Sequence, residues 1–170
     1  MKATLLLVIS GFGLLLAGAS SADSQDLSGS YYCTADASGG LVLNEATRKW
    51  EGSSFHAEGD KFAFAMRFVK RSSKPIKEDW RSNYYEVGIT RAGDNQPAVC
   101  HSTSPFPEEG VTAKDVAEWD STFECLEWPF YYHRFNMKSG HFLEFYTAGG
   151  GIDESEDTPS VTGGTCLKIK

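Results

Sequence analysis

The chain of 170 residues carries 16 Lys and Arg against 23 Asp and Glu, a formal net charge of −7. That balance excludes a general affinity for nucleic acid or for anionic membrane surfaces. Hydrophobic residues make up 41% of the chain, enough at this length to build one full core.

Residues 1–22 have the three parts of a secretion signal: Lys2 beside the amino terminus, an apolar run over 5–17, and small residues up to Ala22. Cleavage is expected after Ala22, with Ala19 as the other fitting position. The apolar run is shorter than the roughly 20 residues that a spanning helix needs. No second long apolar run follows, so no membrane span is expected in the mature chain. Residues 23–170 are expected to form one disulfide-stapled β domain, periplasmic or extracellular, with 15 basic residues against 23 acidic ones once Lys2 is removed.

Beyond residue 23, alternating apolar segments recur roughly every 8 to 15 residues between turn-forming residues. This predicts an all-β fold, a single antiparallel β-barrel or sandwich of about 8–10 short strands. The expected strands are 30–34, 39–44, 50–56, 61–69, 83–90, 98–103, 122–128, 130–136, 141–147 and 161–169. In KFAFAMRFV, Phe62, Phe64, Met66 and Phe68 fall at period two and should face the core. Tyr85, Val87 and Ile89 repeat the pattern, and Gly93-Asp94 then supplies a turn. At most one short helix is expected, over 112–119, with Thr112 as its cap and Val116 and Trp119 on one side.

Two hairpins share a pattern. LNEATRKW (43–50) and FNMKSGHF (135–142) both place Asn after an apolar residue, a hydroxyl residue three positions later and an aromatic six positions after the Asn. The reading is a tight turn whose Asn side chain bonds nearby backbone. Gly140 suits a left-handed position that Arg48 fills less comfortably in the first copy.

Cys33, Cys100, Cys125 and Cys166 form an even set, which an oxidising compartment pairs. Three pairings are possible. Cys100 and Cys125 sit in neighbouring predicted strands and Cys33 and Cys166 in the first and last, so those two bridges are expected. The cysteines lack any Cys-x-x-Cys spacing, which argues against zinc.

No nucleophile elbow, phosphate-cradling loop or zinc helix is present, and no cofactor is expected. If 137–140 form a loop, Asn136 faces His141 and His133 faces Glu144. That pair is the first candidate for a general acid and base, though an ordinary surface pair explains it as well. Asp153, Glu154, Glu156 and Asp157 gather hard oxygens in one glycine-led stretch, a candidate calcium site whose plainer reading is a solvated acidic loop. The basic run Lys70, Arg71, Lys74, Lys77 and Arg81 reads as a charged connection between strands. The cluster WPFYYHRF (128–135) puts aromatics on both faces of one strand, and Trp128, Tyr131 and Tyr132 are the candidate binding residues.

The order YYC (31–33), GGLVLN (39–44), WEGSSF (50–55), a mid-chain cysteine pair, FYYHRFN (130–136) and a closing GGTCLKI (163–169) resembles a family of small exported bacterial proteins, mostly from alphaproteobacteria, that has no established function. The resemblance spans roughly residues 31–169, weakest at 72–81 and 108–118. It implies paired cysteines, a β fold and an address in the bacterial envelope, and brings no catalytic residue with it. A tyrosine-cysteine first strand in a small barrel is also similar in architecture to bacterial inhibitors of C-type lysozyme. The expected function is a non-enzymatic module of the envelope that binds a small ligand, a protein or a glycan. The alternatives are a hydrolase acting on envelope material and an inhibitor of a lysozyme-like enzyme.

Overall fold

The computed structural model describes residues 26–73, 82–103, 108–148 and 158–169. They form ten strands: β1 (Gly29–Asn44), β2 (Lys49–Phe55), β3 (Lys61–Arg71), β4 (Asn83–Arg91), β5 (Ala98–Ser102), β6 (Asp115–Trp119), β7 (Thr122–Glu127), β8 (Tyr131–Asn136), β9 (His141–Tyr146) and β10 (Ser160–Ile169). All pairings are antiparallel, and β1 pairs with β10 to close the sheet into a barrel. The barrel resolves the choice between barrel and sandwich that alternation alone leaves open.

Eight stave positions make up the wall, one of them shared. β5 pairs Val87 to Ile89 of β4, whereas β6 pairs Asn83 to Glu86 of the same strand. Both then pair β7. The expected helix over 112–119 is therefore corrected to a turn and a strand. Thr112 and Asp115 do interact, but the Asp115 carboxylate accepts the Thr112 amide at 2.6 Å and the Thr112 hydroxyl at 2.8 Å to close a turn. The segment after it then fills the ladder positions of β4 that β5 leaves open, and those backbone groups outweigh a weak helical pattern.

The predicted strands 30–34 and 39–44 are one strand of 16 residues, with a register shift between Ala35 and Ala37. Its first part pairs β3 and its last part pairs β2, so the β1–β2 hairpin extends beyond the barrel wall. At the β1–β10 seam the two backbones approach closely. A Cβ on Gly164 would collide with the Thr34 carbonyl, which is why glycine stands there.

Alternation decides what fills the barrel. Phe62, Phe64 and Met66 point inward as predicted, whereas Phe68 is 42% exposed. Phe64 packs on Phe135 with ring centroids 4.6 Å apart, and Phe123 stacks on Phe135 at 4.6 Å. The end where β1 and β4 begin is closed by Leu27, whose carbonyl accepts the Tyr31 hydroxyl at 2.7 Å and whose amide donates to the Tyr85 hydroxyl at 3.2 Å. Two disulfides, Cys33–Cys166 and Cys100–Cys125, tie the wall, and they are the pairs expected from the strand order. No helix among the described residues is long and apolar enough to cross a membrane.

The two related turns behave alike. The Asn44 side-chain oxygen accepts the Thr47 amide, and that of Asn136 accepts the amides of Lys138 and Ser139. Arg48 and Gly140 take the left-handed conformation, with φ of 53° and 73°.

Candidate functional site

The inward positions change character toward the end where β4, β7 and β9 finish. Continuing the alternation of each strand by one step past the apolar core brings Arg91, Glu127, His133 and Glu144 into the barrel. Here the core ends in a polar layer.

His133 is fully buried, and its Nε2 lies 2.9 Å from Glu127 Oε2. Facing a carboxylate oxygen, Nε2 carries the proton and donates. Glu127 Oε2 also accepts from Arg91 Nη2 at 2.8 Å, and the same nitrogen donates to Glu144 Oε2 at 2.8 Å. One guanidinium nitrogen thus spends its two protons on two carboxylates. His133 Nδ1 stands 3.4 Å from Glu144 Oε2 without forming a hydrogen bond. The guanidinium carbon sits 4.4 Å from the centre of the Tyr131 ring, a cation–π contact that fixes its plane.

Burial alone would raise the Glu127 carboxyl. The hydrogen bond from His133 and the Arg91 charge outweigh it and hold the group below its ordinary value. Burial likewise works against the Arg91 charge, yet Glu144 and Glu127 together raise its pKa above the usual one. Glu127 and Arg91 therefore keep their charges inside the barrel wall.

Above it opens a cavity of about 450 Å³, lined by Arg91, Glu144, Tyr131, Tyr146, Ser160 and Thr162 among others. Its far wall comes from the β2–β3 connection. The Asp60 carbonyl accepts the Ala35 amide at 3.0 Å, and this bond carries the connection across the register shift in β1. Cavities of similar size also lie beside Trp119 and beside His141 on the described surface. Neither gathers a buried cluster of opposite charges.

The candidate residues divide between places. His133 does pair with Glu144 across β8 and β9, and Asn136 with His141, in the register expected. The pair is no surface contact, because His133 lies inside the barrel with no solvent exposure. Of the candidate binding residues, Tyr131 lines the cavity, and Trp128 is 76% exposed in the β7–β8 turn at the same end. Tyr132 points to the outer face and packs on Phe145 at 5.6 Å; burial and the Glu124 carboxylate push its hydroxyl up to about 12. Asp153, Glu154, Glu156 and Asp157 lie outside the described residues, as do Lys74, Lys77 and Arg81. Lys70 donates to the Glu109 carbonyl at 2.8 Å, so that end of the basic run is tied to the neighbouring loop. Among the described residues no group of His, Cys, Asp and Glu is arranged to hold a metal.

Comparison with known proteins leaves the geometry to speak for itself: no family model, no curated protein and no solved structure matches the chain.

Proposed function

We propose that this is a non-enzymatic binding module of the bacterial envelope that holds a small polar ligand in the mouth of its barrel, above the Arg91–Glu144 pair. One observation carries the reading. Charged groups fixed by partners beneath a cavity present donors and acceptors in set directions, which is how ligand pockets orient what they bind.

The hydrolase alternative is weaker on the same geometry. A general acid or base must reach the proton that it moves, within about 3.2 Å or through one water. His133 is sealed, with each ring nitrogen toward a carboxylate and its faces toward Tyr131 and Phe135. The inhibitor alternative rests on architecture alone. Residues 1–22, the paired cysteines and the likeness to small exported proteins support the proposed address in the periplasm or outside the cell.

The test is a screen of small polar fragments against the labelled protein, followed by amide chemical shifts. Shifts gathered on Arg91, Tyr131, Glu144 and Thr162 support the reading. Shifts confined to residues beside Trp119 would move the site elsewhere.

A further inference from the structure

We infer that the ligand of the barrel mouth is an uncharged saccharide, one ring of which lies against Tyr131 while the chain continues toward Trp128. This rests on the reading of the mouth as a binding site and adds the chemical class of what enters it.

Charge is the first selector. The cavity wall carries Arg91 and Lys61 against Asp60 and Glu144, with the imidazole of His56 beside them. Arg91 is already shared between Glu127 and Glu144 at 2.8 Å each. An anion entering the mouth meets Glu144, and a cation meets Arg91. At the polar layer either would have to displace an existing partner, and a charge left buried without its partner is costly. A neutral guest rich in hydroxyl groups avoids that cost. Each hydroxyl both donates and accepts, so it bonds to a paired carboxylate and to a paired guanidinium without taking either from its partner.

Aromatic surface is the second selector. Tyr131 and Tyr146 stand with ring centroids 4.9 Å apart, and Phe130 adds an edge contact to Tyr146 at 6.2 Å. Phe130 is held in place because its carbonyl accepts both the amide and the hydroxyl of Thr147 at 3.0 Å. Trp128, 76% exposed, and Phe130, 42% exposed, leave the rim apolar. The C–H face of a pyranose buries apolar surface on such rings while its edges turn hydroxyls toward the polar layer. Ser160 and Thr162, on β10 beside Tyr146 and Glu144, supply further hydroxyl groups, that of Thr162 already sharing a hydrogen bond with Ser38 at 2.8 Å. A guest that is amphipathic in this way, polar at its edge and apolar on its face, fits both halves of the site.

The experiment is calorimetric titration of the full mature protein with neutral mono- and trisaccharides, among them N-acetylglucosamine and its trimer. Glucuronic acid and glucosamine serve as charged counterparts. A neutral trisaccharide should bind, and each charged sugar should bind about tenfold more weakly than the neutral monosaccharide. Tyr131→Ala should abolish binding, whereas Tyr131→Phe keeps it. Trp128→Ala, at a position 76% exposed, should weaken the trisaccharide more than the monosaccharide. Charged sugars that bind as well as neutral ones overturn the inference, as does a trisaccharide indifferent to Trp128→Ala. If no sugar binds at about 10 mM while polar fragments still shift the mouth residues, the saccharide class falls and the binding site stands. If neither binds, both fall.

Discussion

His133 and Glu127 lie six residues apart across the β7–β8 turn and meet inside the barrel, Nε2 to Oε2 at 2.9 Å. The turn that joins them carries Trp128 and Phe130 on the rim, so one short hairpin supplies both the buried partners of the polar layer and the aromatic edge above it. The layer holds Arg91 in the place where a ligand would meet it.

Removing Arg91 should leave the Glu127 and Glu144 carboxylates without the cation that they share. Arg91→Ala is expected to cost about 3 kcal/mol in urea unfolding. Adding Glu127→Gln to that variant should return part of the loss, because one of the stranded charges disappears. Additive losses in the double mutant would show that the pair is not coupled.

Acid should weaken the fold through the same layer. The folded-state pKa of Glu127 is depressed, so its contribution is complete above the ordinary carboxyl value, about 4.3. It is lost as pH falls from there through the lower folded value. Glu108, held down to about 2 by the Ser73 and Ser72 side chains, titrates in the same direction. Glu127→Gln should therefore flatten the fall of unfolding free energy below pH about 5 without removing it. An unchanged pH profile in that variant contradicts the assigned role of the carboxylate.

The Cys100–Cys125 bridge closes a loop of 25 residues and ties β5 to β7. Cys100→Ala and Cys125→Ala should each cost about 2–4 kcal/mol, and the double variant should be no worse than either single one. Strongly unequal single losses would mean that the cysteines act separately. The bridge from Cys33 to Cys166 spans 133 residues and locks the closing seam, so chain-entropy arguments give it the larger share.

Arg48 holds a φ of 53°, where Gly140 stands in the related turn. Arg48→Gly should relieve that strain, offset by the greater freedom of glycine in the unfolded chain, for a net change of up to about +1 kcal/mol. Asn136→Ala should lose about 1 kcal/mol, since its side chain accepts two backbone amides. Thermal unfolding of both variants measures the pair, and a destabilised Arg48→Gly would refute the strain.

Much of the wall was legible from period-two alternation, which located β3, β8 and β9 and gave the His133–Glu144 register. The polar layer was legible in part only. Tyr85, Val87 and Ile89 point inward, and one further step along β4 reaches Arg91. Phe123 and Cys125 lead in the same way to Glu127. A charged residue at the next inward place reads as the end of a strand unless its partners are known, and these partners come from three other strands. The split stave escaped for another reason: whether residues 115–119 form a strand depends on the open edge of β4, which no local pattern carries. The bulge at Ala35 to Ala37 likewise broke the alternation and divided β1 in two on paper.

The most direct test of the account is a crystal structure of the mature protein soaked with a neutral trisaccharide. The account predicts one sugar ring against Tyr131, with hydroxyls bonded to Glu144 and Arg91 and the next ring toward Trp128. Sugar seated only beside Trp119, or a mouth still filled by solvent at saturating concentration, would contradict it.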